Sequence, residues 1–457
     1  MTLVFDGRTD VSDSRSDPAL GDGDSDWAAV ESVDGTPPRD SRNDGIERRH
    51  SRWFVAMSAV IGVVAFAAHD RLLSFDSLYG LFGNGVDALV YRHGGATVLG
   101  SEELYSFSLF GTLPFTYPPF AAVLFAPLGL LSDTATGLLV NVSNVVLLYG
   151  VVHLSWRRLG YENCTRTKVV SVGLAVGCSW LEPVRMSLWL GQINLLLLVL
   201  VLWDLGRSEG SRLRGVGVGI AAGLKLTPGL FIVMSIAQKQ WRAAWTAAVT
   251  GLVTVLIGFV VVFSDAWRYW TSAILASDRV GSTTSPANQS VRGVVARAWG
   301  TEHPPVIVWL PAALIVLAAG MWVSYRAHRA GRTLLAMTLC GLTAPMVSPF
   351  SWGHHWVWCV PLLVIGLDAC ASSRTSVRGR TLRILGLLAA TAPFVAWYRT
   401  QADVVVIGTF MQSVSPILDE GLRNAYCVVY VIVLVVAAIG LRKDSTVRYV
   451  PATHSSI

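Results

Sequence analysis

The sequence predicts an all-α polytopic membrane protein of about 10–12 transmembrane helices, in which long outer loops carry short interfacial helices. Three observations predict it. The chain is 53% hydrophobic and only 14% charged, with a mean hydropathy of +0.51, whereas soluble domains carry about 25% charged residues. Apolar runs long enough to cross, or nearly cross, a bilayer of about 30 Å recur along the chain. The loops between those runs are alternately rich and poor in Lys and Arg, the bias that orients membrane helices.

Residues 1–47 come first, with 12 acids against four arginines. This stretch is rich in Asp, Ser and Gly and has no apolar period, so it reads as a disordered acidic tail on the cytoplasmic side. It lacks a basic stretch leading into an apolar one, so no cleavable signal is expected, and 53–68 reads as a helix that stays. The rest of the chain holds 32 basic and 18 acidic residues. A membrane domain is expected over 48–445 and a short cytoplasmic tail over 446–457. The six cysteines are scattered through apolar runs without a CxxC pair, so they read as small apolar fillers.

The apolar runs lie near 53–68, 119–156, 168–184, 190–205, 214–237, 242–263, 305–325, 333–348, 355–371, 382–398 and 424–441. The second is too long for one helix and contains "SDTATG". The run 214–237 is interrupted by "LTPG", where Pro228 and Gly229 predict a broken or re-entrant hairpin. Basic clusters such as Arg48/Arg49/Arg52, Arg157/Arg158, Arg207/Arg212/Arg214 and Arg326/Arg329/Arg332 total 22 residues, against nine in the alternate loops. That bias places both termini in the cytoplasm of a plasma-membrane protein. The outer loops are then 69–118, 184–190, 264–304, 349–354 and 399–423.

Five polar constellations fall at the outer face. Asp87 is a lone acid in "GNGVDALVYRHGG", with Arg92 close behind it and Tyr117 in "TYPPF" further on. It reads either as a capping aspartate or as a general base of raised pKa. Gln192 and Asn194 open the apolar helix "LGQINLLLL", either bonding between helices or facing a ligand. Lys225 sits in the apolar hairpin "GLKLTPG", where a charge costs about 2.5–3.5 kcal/mol on insertion scales. It therefore needs a protein acid or a lipid phosphate. Asn288 and Gln289 belong to "SPANQSVRG". His354 and His355 lie in "SPFSWGHHWVW", whose tryptophans fit an aromatic belt at the lipid interface. Their convergence on one face points to chemistry there rather than to a path through the bilayer.

In order along 86–358, the pieces "VDALVYR", "FTYPPFAAVLFAPL", "GQINLLLL", "GLKLTP", "NQSVRG" and "SPFSWGHHWVW" resemble glycosyltransferase family 87, of the GT-C class. The likeness is to its polyprenyl-phosphate-mannose-dependent α-(1→2)-mannosyltransferases of actinobacterial envelopes. One departure is visible: the family pattern carries an acid before the paired histidines, and this chain has Gly353.

The resemblance implies a GT-C fold and an outer-face enzyme. It would move mannose from polyprenyl-phosphate mannose to a mannose 2-hydroxyl of a glycolipid, of phosphatidylinositol mannoside or lipomannan type. Asp87 takes the base position. Arg92, Tyr117, Gln192, Asn194, Lys225, Asn288, Gln289, His354 and His355 become candidates for donor or acceptor binding. Neither a metal nor another cofactor is implied, because a lipid phosphate leaves without a nucleotide. The expected partners are the donor, the glycolipid acceptor and the bilayer, with no nucleic acid. The alternatives are arabinofuranosyl or glucosyl transfer, a lipid-sugar flippase or transporter, and a non-catalytic scaffold.

Overall fold

The computed structural model describes residues 48–447 apart from 74, 76, 101, 277–279, 372–375 and 402–403. The predicted acidic tail 1–47 lies outside the described residues, as does 448–457 of the predicted C-terminal tail.

The fold is all-α. The first helix α1 (Arg52–Leu72) starts on a Ser51 cap and packs on α5 (Thr165–Cys178). Between them come α2 (Val86–Gly100), α3 (Pro119–Gly129) and α4 (Asp133–Arg158). The long run 119–156 is indeed two helices, parted at Leu130–Ser132, where the Ser132 side chain caps α4. Next are α6 (Glu182–Leu190), α7 (Asn194–Leu205), α8 (Val216–Leu224) and α9 (Leu230–Ala237). Of the broken or re-entrant hairpin predicted at "LTPG", the structure shows the break, between α8 and α9, with Lys225 extended and a 3-10 turn at Thr227–Gly229.

The second half holds α10 (Trp241–Val261), α11 (Phe263–Thr271), α12 (Val291–Trp299), α13 (Val306–Arg329) and α14 (Thr333–Val347). It closes with α15 (Cys359–Ala371), α16 (Val377–Thr391), α17 (Pro416–Arg423) and α18 (Ala425–Val447). The short helices α11, α12 and α17 lie in the predicted outer loops. Exposed Phe263 and Trp267 on α11 and Ile417 and Leu418 on α17 suit an interfacial position. Those loops also form two small hairpins the sequence did not suggest, β1 (Ser108–Leu109) with β2 (Leu113–Pro114) and β3 (Tyr398–Gln401) with β4 (Val404–Ile407).

Among the described residues, five helices (α1, α4, α10, α13 and α18) are long and apolar enough to cross a bilayer alone, and α6 with α7 makes six if that bent pair is one span. The other apolar runs appear as shorter or broken helices such as α3, α9, α14 and α15. Two of the breaks fall at Gly191 and at Pro228–Gly229, residues that interrupt a helix without interrupting the apolar sequence. All six cysteines are free, four of them buried, as expected of fillers.

Candidate active site

The site is assembled where helices begin or break. The decisive turn is Gly191, at φ 72° and ψ 39°, which ends α6 in a left-handed cap. A Cβ there would lie 2.8 Å from the Cβ of Ala88, so only glycine lets this turn close against α2. The chain then bends by 118° into α7. The bend aims Gln192 at Asp87, in the first turn of α2, and Asn194 toward the histidine turn.

Gln192 is 5% exposed and its Nε2 donates to Asp87 Oδ2. Its Oε1 faces the Tyr91 and Tyr117 hydroxyls, each at 3.0 Å, and those hydroxyls are 2.9 Å from one another. Two phenolic protons serve three contacts, so the amide end of Gln192 is fixed and its Nε2 is committed to the carboxylate. Burial pushes the Asp87 carboxyl up to about 6, against the opposing pull of the Gln192 hydrogen bond and the Lys225 charge. Asp87 Oδ1 is the oxygen left for another partner.

Lys225 follows the end of α8 in extended conformation. Its Nζ donates to Asn194 Oδ1 at 3.1 Å, lies 2.9 Å from His355 Nε2 and sits 5.5 Å from the centre of the Tyr117 ring. An ammonium donating to Nε2 fixes the His355 proton on Nδ1, and that buried nitrogen has no hydrogen-bond partner among the described residues. Two of the three Lys225 protons are committed, which leaves one. Asn194 Nδ2 donates to the His354 carbonyl at 3.0 Å, tying the start of α7 to the turn Gly353–Trp356. A cavity of about 40 Å³ adjoins His355 and Asn194 and is walled by Leu197, Leu198, Phe231 and Trp358.

Asp87, Tyr117, Gln192, Asn194, Lys225, His354 and His355 are therefore brought together. Three candidates are not among them. Arg92 serves the α3–α4 junction: Nε donates to the Leu131 carbonyl at 2.6 Å and Nη1 pairs with Asp133 at 3.2 Å. Asn288 is fully buried, with Nδ2 on the Thr283 carbonyl and Oδ1 accepting from Ser351 N at 3.0 Å and from the Ser290 hydroxyl at 2.9 Å. Gln289 is likewise buried, donating to the Pro286 and Arg423 carbonyls and accepting from Tyr426 N. "NQS" is thus a staple that fixes the histidine turn and the start of α18.

The tryptophans correct another expectation. Trp356 is fully buried against Tyr426, and Trp358 stacks on Phe231 at 5.1 Å. These two anchor the turn to the protein interior and not to lipid, while Trp352 is half-buried against Phe350.

A model of glycosyltransferase family 87 matches residues 115–349 of this chain. The chain belongs to that family. This family 87 glycosyltransferase is 35% identical over 299 residues to a Mycobacterium tuberculosis polyprenol-phosphate-mannose-dependent alpha-(1-2)-phosphatidylinositol mannoside mannosyltransferase, covering 62% of this chain and 70% of the relative. It is 33% identical to the Mycolicibacterium smegmatis protein of the same name, over 68% of this chain and 75% of the relative. A Mycobacterium tuberculosis pentamannoside mannosyltransferase is 35% identical over 71% of this chain and 79% of the relative. No solved structure matches the chain. The family match contains Tyr117, Gln192, Asn194 and Lys225, whereas Asp87 precedes it and the histidines follow it.

Residues outside the candidate set complete the site. Tyr91 is four positions after Asp87, on the same face of α2, a spacing that was available as a signal. Glu182 and Tyr426 gave none, because they reach the site only through tertiary packing. A Cβ at Gly353 would lie 2.4 Å from Glu182 Oε1, so another residue there needs the carboxyl to move.

Proposed function

We propose that this glycosyltransferase moves mannose from polyprenyl-phosphate mannose to a mannose 2-hydroxyl of a phosphatidylinositol mannoside-type glycolipid. The reaction runs at the outer face of the plasma membrane and inverts the anomeric centre. The observation that carries the reading is a carboxylate and a cation joined across one tyrosine. Asp87 is held by Gln192, Gln192 by Tyr117, and the Tyr117 ring lies 5.5 Å from Lys225 Nζ. One end takes a proton and the other receives negative charge.

In this mechanism the acceptor hydroxyl gives its proton to Asp87 as its oxygen attacks the anomeric carbon. The new carbon–oxygen bond forms on the face opposite the phosphate. The old one breaks with its electron pair passing to the lipid phosphate. The uncommitted Lys225 proton and the His355 Nδ1–H meet that developing charge. No metal is needed for this leaving group, because the Lys225 cation neutralises a lipid phosphate that carries no nucleotide. The names of the curated relatives supply the sugar, the linkage and the acceptor class.

The test is transfer by the purified chain from polyprenyl-phosphate mannose to phosphatidylinositol mannosides, with the linkage of the product determined by NMR. An α-(1→2)-mannosylated product formed in the presence of a chelator is expected. Transfer of arabinofuranose or glucose in place of mannose, or a strict need for added metal, overturns the reading. Sidedness is tested by placing cysteines in 69–118 and 207–214. Impermeant thiol reagents should label the first from outside intact cells and spare the second.

A further inference from the structure

The turn that carries the two histidines rests on a buried carboxyl group. Glu182 opens α6 and is 2% exposed. Its Oε2 accepts from the Tyr426 hydroxyl at 2.6 Å, and it forms no ion pair among the described residues. A carboxyl buried without a cation is costly to retain. Helix α6 packs across the turn Gly353–Trp356, and the Glu182 carboxyl lies directly against Gly353. A Cβ at 353 would lie 2.4 Å from Oε1, 2.6 Å from Oε2 and 2.8 Å from Cδ. Gly353 does not have a positive φ, so its backbone makes no demand for glycine. The demand comes from Glu182.

Tyr426 is itself immobilised. It is fully buried, its ring is 4.5 Å from that of Phe394 and 5.7 Å from that of Trp356, and its amide donates to Gln289 Oε1 at 3.0 Å. The turn is thus pinned by Asn194 on the His354 carbonyl and by Asn288 and Gln289 on Ser351. The atoms nearest to a Cβ at Gly353 are those of the carboxyl that Tyr426 holds.

We infer that Glu182 is a positioning residue for donor binding: its carboxyl fills the volume beside Gly353 and sets the height of the His354–His355 turn over Lys225. This rests on the assignment of His355 and Lys225 to the donor phosphate. Without the carboxyl, the turn settles toward α6 and the 2.9 Å approach of His355 Nε2 to Lys225 is lost. The volume can be filled from either side, because a side chain at 353 points into the space that Glu182 occupies. Glu182 and Gly353 therefore form a pair that can be exchanged.

The experiment uses the full chain in detergent, with initial rates measured against polyprenyl-phosphate mannose. Glu182→Ala should raise the donor KM about tenfold and change kcat less, since a 1 Å misplacement costs up to about a hundredfold. Gly353→Asp alone crowds two carboxyls into one volume and should be at least as impaired. The double variant Glu182→Ala/Gly353→Asp should recover to within about threefold of the wild-type donor KM, a coupling that non-interacting sites do not show. A double variant as impaired as the sum of its folded parents overturns the inference. Should any of these fail to fold, Tyr426→Phe removes one hydroxyl and should still raise the donor KM about threefold or more. Wild-type donor KM in a folded Tyr426→Phe variant overturns it equally. The control is His355→Ala. If that variant keeps the wild-type donor KM, the donor-phosphate assignment has failed. If its KM rises while the Glu182 series stays flat, only the present inference has.

Discussion

Two polar regions meet at the histidine turn and have opposite chemistry. Around Asp87 and Lys225 the hydrogen-bonding capacity is incompletely used: Asp87 Oδ1, one Lys225 proton and His355 Nδ1–H are left over after the protein contacts are made. In "NQS" the Asn288 and Gln289 side chains are fully buried and turned onto neighbouring backbone and the Ser290 hydroxyl. Both regions look alike in sequence, as compact polar motifs between apolar runs. The leftover capacity distinguishes a site from a staple, because a buried polar group without a partner is costly unless a ligand supplies one.

The largest effect expected on either side of that comparison belongs to Asp87. Asp87→Asn keeps the size and one acceptor oxygen but cannot take a proton, so transfer should slow by at least about a hundredfold while the protein purifies and binds donor normally. Transfer rates near wild type would move the base elsewhere. Next comes His355→Ala, which should raise the donor KM about tenfold to a hundredfold by removing a hydrogen bond to a charged phosphate. Kinetics with varied donor separate this from a loss of kcat. On the staple side, Asn288→Ala should lower thermal stability by about 1–3 kcal/mol through stranded partners, with a comparatively small change in donor KM. A donor defect larger than that of His355→Ala, in a variant that melts normally, would erase the distinction between the two regions. The smallest effect is assigned to Arg92→Ala. Its guanidinium is spent on the α3–α4 junction, so donor KM should stay within about twofold, as for a surface ion pair.

The helices were legible because apolar runs and their Pro and Gly breaks are local signals. The runs 242–263 and 305–325 correspond closely to α10 and α13, and the break at "LTPG" lies where Lys225 turns extended. What the runs concealed was length, since an apolar window continues through a helix break. The site was legible in part. Lone polar residues beside apolar runs marked Asp87, Gln192, Asn194, Lys225 and the histidines. The direction each side chain takes was not marked, so Arg92 was grouped with Asp87 although five positions on a helix place it off the Asp87 face. Tyr91, at four positions, was the residue on that face. Glu182 was hidden because it lies in sequence far from Gly353 and Tyr426, and only packing joins them.

The account turns on Asp87 acting as the base, and the pH dependence of kcat/KM, which reports the groups of the free enzyme, tests that most directly. Burial raises the Asp87 carboxyl to about 6, and a base works only when ionised. The wild-type kcat/KM should therefore fall as pH drops through this value. In Asp87→Asn the small residual rate should lose this acid limb. The same limb, at the same midpoint, persisting in Asp87→Asn would show that another group takes the proton and would contradict the account.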